Sequence, residues 1–331
     1  MIEKSLYVFS NGELKRKDNT LFFETEEGKK VIPIASVRDV FLFGEVTLNS
    51  KVLNFLSQQE ILVHFFNHYG YYSGTIYPRE HIASGSMVLC QAQHYLNNQT
   101  RVEIARRFIV GAAQNLRRVL KYYMGRGRNL QSYLERIENL IPATSEFDDV
   151  SQIMAIEGNI WETYYNAFDE IIQDKGFAMD GRTKRPPRNP VNALISFGNS
   201  LLYTTVLSEI YKTHLDPRIG YLHTTNFRRF SLNLDVAEIF KPILVDRMIF
   251  TVIGKGMLKS SDFVRESGGV LLNDAGRTVF LKQWDERLRQ TIQVRELGRS
   301  VSHRRLIRME LYKLEKHLLG EKPYDPFAAR W

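Results

Sequence analysis

A single cysteine, Cys90, stands in 331 residues. It excludes an internal disulfide framework and a thiolate zinc cluster, and it suits a reducing compartment, so a cytoplasmic location is expected. Long apolar runs are missing as well. No stretch is apolar enough over the roughly 20 residues that a bilayer requires, and the opening MIEKSLYVFSNG has no signal-peptide core, so no membrane association is expected. The sequence lacks G-x-x-x-x-G-K-[ST], H-E-x-x-H and G-x-G-x-x-G, which leaves NTPase, zinc-protease and dehydrogenase readings without support. An adjacent His-Asp pair, the mark of one group of helical metal phosphohydrolases, is also absent. Asn98-Gln99-Thr100 matches a glycosylation sequon, by chance in a chain without a secretion signal.

What is present is ordinary globular material, 44% hydrophobic and 25% charged, long enough for two domains with ample core. Lys and Arg outnumber Asp and Glu by 45 to 37, a formal net charge of +8 that favours a polyanionic partner. Up to about residue 77 the apolar residues recur with the period of strands, at Ser5–Phe9, Thr20–Glu24, Lys30–Ile34, Val37–Phe43 and Ile61–Phe66, punctuated by Asn11-Gly12, Asp18-Asn19 and Glu27-Gly28. Asn49 heads a helix over 49–59 that buries Val52, Leu53 and Leu56. Tyr69–Tyr77 reads as a terminal hairpin whose tyrosines would pack, form an interface or stack on bases.

After Pro78-Arg79 the period changes to that of helices, predicted near Ser86–Leu96, Thr100–Met124, Asn129–Leu140 and Phe147–Asp174. The second carries Arg101, Arg106, Arg107, Arg117, Arg118 and Lys121, which would serve phosphate binding or simply a solvated face. Met179–Pro190 is rich in helix breakers and holds Arg182, Lys184, Arg185 and Arg188, as expected of a mobile or extended loop able to clamp phosphates. A tightly packed apolar helix follows over Val191–Tyr203, with Asn192 and Ser196 as a polar pair on one face. Gly268–Arg277 suggests a small hairpin, and 284–319 reads as one helix with repeated arginines, Arg304 and Arg305 among them, aimed at duplex DNA. The tail PYDPFAARW is apolar enough to dock on its own domain or on a partner.

Two stretches carry the chemistry. In DVSQIMAIEGNIWETYYNAFDEII, Ile153, Ile156, Ile160, Trp161, Tyr164, Phe168 and Ile171 share one helical arc, with Glu157 near its middle. A carboxylate placed there must be protonated, paired with a cation or bound to metal, since an unpaired buried charge costs several kcal/mol. Gly158 beside it lets a backbone or ligand approach. In PRIGYLHTTNFRRFSLNLDVAEIFKPILVD, His223, Asp235 and Glu238 lie close together in apolar and basic surroundings, at the start of a helix with almost no polar face and a bend expected at Pro242. These residues read as converging on a divalent metal that works on DNA. A structural account uses the same residues, with Asp235 as N-cap, Glu238 paired with Arg228 or Arg229, and His223 as a loop histidine.

Four ordered motifs, IMAIEGNIW, RPPRNPVNALISFGNSLLY, GYLHTTNFRRFSLNLDVAEIFKPILVDR and GEKPYDPFAARW, resemble the CRISPR-associated endonuclease Cas1 family, in the style of the type I systems and over essentially the whole chain. The resemblance implies an α+β protein, with a sandwich-like, β-rich dimerisation domain (1–77) followed by a larger all-α catalytic domain (78–331). It implies a metal-dependent DNA endonuclease and integrase of CRISPR adaptation, an antiviral defence, that joins 3′-hydroxyl ends of short DNA fragments to the leader-repeat of the CRISPR array. It also implies a homodimer, two of which are bridged by a Cas2 dimer, and a possible helper nuclease. Carried over by motif, the metal ligands and catalytic residues are Glu157, His223 and Glu238, with Asp235 and Asn192 behind them. Arg182, Lys184, Arg185, Arg188, Arg228, Arg229, Arg304 and Arg305 are the expected DNA contacts. Asn199 stands where a tyrosine is frequent in the family.

Two carboxylates and an imidazole suit Mg(II) or Mn(II), leaving positions for water and a phosphate oxygen. Two other readings compete. A basic DNA-binding architectural protein would use the same acids only in ion pairs, and a metal-dependent phosphohydrolase would act on small phosphate esters.

Overall fold

The period-two segments form two sheets. In chain order these are β1 (Lys4–Val8), β2 (Gly12–Lys17), β3 (Thr20–Thr25), β4 (Gly28–Pro33), β5 (Val37–Leu42), β6 (Val46–Leu48), helix α1 (Ser50–Gln58), β7 (Leu62–Phe66) and β8 (Tyr72–Ile76). One sheet has the order β1-β5-β7-β8 and the other β4-β3-β2-β6. Leu14, Leu21, Phe23 and Ile32 from the second sheet share a core with Val40, Leu42 and Val63 from the first and with Val52, Phe55 and Leu56 of α1. Asn49 caps α1 as expected, its Oδ1 accepting the Val52 N–H at 3.0 Å. Two strands escaped the sequence reading. Gly12–Lys17 alternates but is mostly charged, and Val46–Leu48 is only three residues long. Tyr69–Tyr77 is not a hairpin in itself, because its one strand, β8, pairs antiparallel with β7 in the register Val63↔Ile76.

The computed structural model of the chain describes residues 4–67, 69–78, 82, 84–223, 230–294 and 298–330. It divides into two units, Met1–His81 and Ile82–Trp331. The second unit holds α2 (Gly85–Leu96), α3 (Asn98–Met124), α4 (Gln131–Ala143), α5 (Val150–Asn166), α6 (Phe168–Ile172), α7 (Pro190–Ile210) and α8 (Leu232–Phe240). A π-helical turn, Lys241–Asp246, leads into α9 (Arg247–Gly254). Then come β9 (Phe263–Glu266), β10 (Gly269–Leu272), α10 (Asp274–Arg289), β11 (Thr291–Val294), β12 (Arg299–Ser302) and α11 (His303–Leu318).

This unit is helical apart from two ribbons, β9–β10 and β11–β12. The first is a hairpin that turns at Gly268 and pairs Phe263–Glu266 with Gly269–Leu272, earlier in the chain than the expected Gly268–Arg277, whose last residues open α10 instead. The second divides the single helix expected over 284–319, because Thr291–Val294 alternates like a strand and Gly298 takes φ 61°. The helix expected to run to Asp174 likewise breaks at Ala167 into α5 and α6. No described helix is long and apolar enough to cross a membrane.

Helix α7 is the axis of the unit. It is buried on nearly every side, and α8 and α11 pack against it, while α3 packs against α8. Burial on all sides leaves Glu209, which is 1% exposed, in need of a cation. Arg304 Nε of α11 reaches its Oε1 at 2.7 Å and Arg308 Nε its Oε2 at 2.7 Å. Burial works against this carboxylate, but the two guanidiniums outweigh it and hold its pKa below the ordinary value. Removing one member of such a group strands the others. Glu209→Ala is therefore expected to destabilise the helical unit by about 3–5 kcal/mol, measured as a lowered urea midpoint with unchanged slope.

Candidate metal and DNA site

The sequence motif GYLH becomes a turn wrapped round one carboxylate. Asp235, fully buried, accepts the Tyr221 N–H at 2.5 Å and the Leu222 N–H at 3.0 Å on Oδ2. On Oδ1 it accepts the His223 N–H at 2.9 Å and His223 Nδ1 at 2.8 Å. Asp235 is therefore not the N-cap expected from sequence. Helix α8 begins at Leu232, one turn earlier, and the side chain reaches back to collect donors from the loop. Gly220 permits this approach. A Cβ there would stand 2.8 Å from Asp235 Oδ2 and 2.7 Å from the Ser231 backbone. Arg101 of α3 closes the turn from outside, donating from Nε to the Tyr221 carbonyl at 3.1 Å. Burial lowers the pKa of His223, but the Asp235 bond and the charges of Asp235 and Glu238 outweigh it, and the net shift is upward. With Nδ1 on Asp235, the other ring nitrogen, Nε2, lies 4.0 Å from Glu238 Oε1.

Glu238, 1% exposed, belongs to α8, and its Oε1 is held by the ammonium of Lys241. Its Oε2 is buried with no hydrogen-bond partner among the described residues. Lys241 opens the π turn and lies over Trp161 at 5.2 Å and Tyr203 at 5.4 Å from the ring centres. Burial opposes its charge, but Glu238 more than offsets that and keeps the amine protonated. Spacing alone does not single out Lys241 or Asp246. The signal for Lys241 was a lysine three residues after Glu238 in an apolar helix. Asp246, at the end of the π turn, is pushed up to about 8, chiefly by burial, with the nearby charges of Lys241 and Arg182 acting the other way.

Helix α5 buries Ile153, Ile156, Ile160, Trp161 and Tyr164 as the periodicity requires. Glu157 is half-buried at the rim of that face rather than in its middle, and Gly158 beside it faces open space. The pKa of Glu157 rises to about 7, through burial first and the Glu238 carboxylate second, with Lys241, His223 and Lys184 acting in the opposite sense. Glu157, His223 and Glu238 thus share one electrostatic neighbourhood, but among the described residues no three His, Cys, Asp or Glu side chains stand as a closed ligand set. Their chemistry fits a divalent cation. The charge of Glu238 opposes ionisation of Glu157, Glu238 Oε2 has no hydrogen-bond partner among the described residues, and the Asp235–His223 pair is the arrangement in which an imidazole offers its free nitrogen to a metal.

The basic residues divide sharply. Lys184, Arg185 and Arg188 are exposed, and Lys184 lies close enough to Glu157 to influence its ionisation. Arg182, expected on DNA, instead turns inward. Its Nη1 donates to Asn192 Oδ1 at 2.8 Å and its Nη2 to Ser196 Oγ at 3.2 Å. Asn192, expected behind the metal ligands, uses both ends of its amide on the loop, accepting Thr183 N–H at 3.0 Å and donating to Gly181 O at 2.8 Å. The loop is tied down rather than free, with the Val270 N–H also donating to Pro187 O at 2.8 Å. Arg304 is corrected too, since it is 8% exposed and committed to Glu209, whereas Arg305 is exposed on α11. Arg228 and Arg229 lie outside the described residues.

Most of the basic residues of α3 are engaged within the chain, while Arg118 is exposed. Arg106 donates to the carbonyls of Thr144 and Phe147 at 2.8 and 2.9 Å, Arg107 pairs with Glu103, and Arg117 and Lys121 pair with Glu138.

Comparison with known proteins points one way. The family described as "CRISPR associated protein Cas1" matches residues 6–286. A CRISPR-associated endonuclease Cas1 of Thermodesulfovibrio yellowstonii is 54% identical over 330 residues, covering 100% of both chains. One from Thermotoga maritima is 51% identical over 97% of this chain and 98% of its own. The solved structure of a Cas1 protein from Thermotoga maritima superposes with a TM-score of 0.87 at 50% identity, over 97% of this chain and 98% of that one. A casposase bound to its integration product shares the fold, with a TM-score of 0.86 at 19% identity over 99% of this chain and 94% of its own.

The Asp235 clasp sets the titration of His223 in the metal-free protein. Asp235→Asn removes the carboxylate and leaves burial, so the imidazole midpoint is expected to fall from above to below the usual histidine value, followed by NMR of the ring proton. Gly220→Ala, which forces Asp235 away, is expected to move it in the same direction.

Proposed function

The chain belongs to the CRISPR-associated Cas1 family and acts as an endonuclease and integrase of CRISPR adaptation, and from that premise we propose that Glu157, His223 and Glu238 are the residues that hold its divalent metal, Mg(II) or Mn(II). The observation that carries this is the shared electrostatics of the three. The acidity of Glu157, on α5, responds to both Glu238 and His223, on and beside α8. When bound, the metal would supply a Lewis acid for a phosphodiester oxygen.

The chain's own groups do the rest. Asp235 fixes the ring orientation of His223. Lys241 places a positive charge beside Glu238, both largely buried, where electrostatic effects on the charge developing at phosphorus are strengthened. Lys184, Arg185 and Arg188, exposed on a loop with fixed ends, would hold the DNA backbone, and Arg305 would extend that contact along α11. In integration the 3′-hydroxyl of the incoming fragment attacks phosphorus, a new P–O bond forms, and the target strand leaves as a free 3′-hydroxyl. One P–O bond replaces another, so the step needs no ATP. In cleavage, water takes the place of the attacking hydroxyl. The partners that go with this reading are short DNA fragments and the leader-repeat, a second copy of the chain, a Cas2 dimer bridging two such dimers, and a helper nuclease that trims the fragment.

Two measurements test the assignment. With Mn(II), a fragment bearing 3′-hydroxyls and a leader-repeat plasmid, Glu157→Ala, His223→Ala and Glu238→Ala are each expected to shift DNA on a gel as the unmodified protein does, while the joined product disappears. Full joining by any two of them would remove the site. The second is pH. A metal held by Glu157 and His223 must displace a proton from each, so Mn(II) affinity measured by calorimetry is expected to weaken as pH falls below about 7, more steeply than the roughly tenfold per unit that one proton gives. Glu157→Gln is expected to bind weakly without the Glu157 contribution to that slope.

A further inference from the structure

The π turn after Glu238 displaces the backbone bonding of the helix by a residue, and such turns depend on contacts from outside the helix. One of these contacts is visible. The Ile239 carbonyl, next in the chain after Glu238, accepts from Asn115 Nδ2 of α3 at 2.9 Å. Asn115 is fully buried, and the rest of its amide goes to the C-terminal segment. Nδ2 donates to Phe327 O at 3.0 Å, and Oδ1 accepts the Ala329 N–H at 2.8 Å.

That segment is fastened along its length. The Tyr324 hydroxyl donates to Glu310 Oε1 of α11 at 2.7 Å, and the Phe327 N–H reaches the same oxygen at 3.0 Å. Phe327 stacks on Phe240 of α8 with centroids 6.0 Å apart and planes at 8°. Gly111 marks the crossing point, since a Cβ there would lie 2.6 Å from Pro326 and 3.4 Å from Ile239.

We propose that Asn115 and residues 324–329 are positioning elements of the reaction, a clamp that fixes the α8 turn bearing Glu238 and Lys241 without touching DNA or metal. The inference rests on the reading of Glu238 as a site residue. Tyr324 and Phe327 anchor the segment to α11 and α8, and Asn115 transmits that anchorage to the backbone beside Glu238. A loosened clamp lets Glu238 wander, which weakens cation binding and slows joining while leaving the exposed basic loop to hold DNA unchanged.

The test compares a chain ending at Lys322, Asn115→Leu, Phe327→Ala and Glu238→Ala with the unmodified protein. The readouts are the Mn(II) dissociation constant by calorimetry, kcat and KM for joining, and thermal melting. The first three are expected to bind Mn(II) about 10–100-fold more weakly and to lose kcat with KM for DNA unchanged, and a synthetic peptide of residues 323–330 is expected to restore the shortened chain but not Asn115→Leu. Unchanged Mn(II) affinity and joining in the shortened chain and in Phe327→Ala, with Glu238→Ala inactive, would overturn the clamp alone. Full joining by Glu238→Ala would instead overturn the site on which it acts. Should the shortened chain not fold, Phe327→Ala, which leaves the backbone bonds of the segment in place, decides the matter by the same readouts.

Discussion

The bonding of Asp235 is the constraint on which this site rests. A fully buried carboxylate has no water to satisfy it, and here three backbone N–H groups and one imidazole do so instead. The loop carrying His223 cannot leave without stranding that charge, so a segment that would otherwise be free is locked to the first turn of α8. Glu238 then follows one turn later on the same helix, and the distance between imidazole and carboxylate is fixed by helical geometry rather than by loop conformation. Only Glu157 comes from elsewhere, on α5, at the rim where apolar packing gives way to solvent.

Positive charge is distributed by the same logic. Arg304, Arg308 and Lys241 sit in the interior, each opposite a buried carboxylate. Arg106 and Arg117 of α3 fasten neighbouring segments by donating to carbonyls or pairing with an acid. Arg182 is engaged with Asn192 and Ser196. Exposed cations remain in several places, Arg118, Arg126, Arg289, Arg299 and Arg305 among them, and those nearest Glu157, Lys184 with Arg185 and Arg188, ride on a loop bound at both ends. Part of the positive charge is therefore structural and is not offered to a polyanion.

The legible part of the sequence was the part governed by local rules. Strand alternation, the Asn49 cap, the apolar arc of α5 and the all-round burial of α8 followed from spacing alone. The grouping of Glu157, His223 and Glu238 followed from an acid set against apolar residues, and from the motifs of a family. What spacing could not give was direction. Arg182 and Arg304 look like surface cations in a list of residues, and only the fold shows Asn192 or Glu209 opposite them. Asp235 has the composition of a helix cap and the geometry of a loop anchor, because the helix starts at Leu232. The ribbon within 284–319 was missed because four alternating residues are too few to outweigh the helical pattern on either side.

The wide turn at Lys241–Asp246 has one more consequence. It holds a residue more than an ordinary helix would need to cover the same rise, so everything after it is rotated by about 100° about the axis relative to a regular continuation. The inward faces of Met248, Ile249, Val252 and Ile253 are set by that surplus residue. A shorter lineage, one residue lighter at this point, would gain a more regular helix and turn its apolar side toward water. Insertions and deletions here are thus counted by the core as changes of phase, and the length of this segment is as much a part of its identity as its side chains.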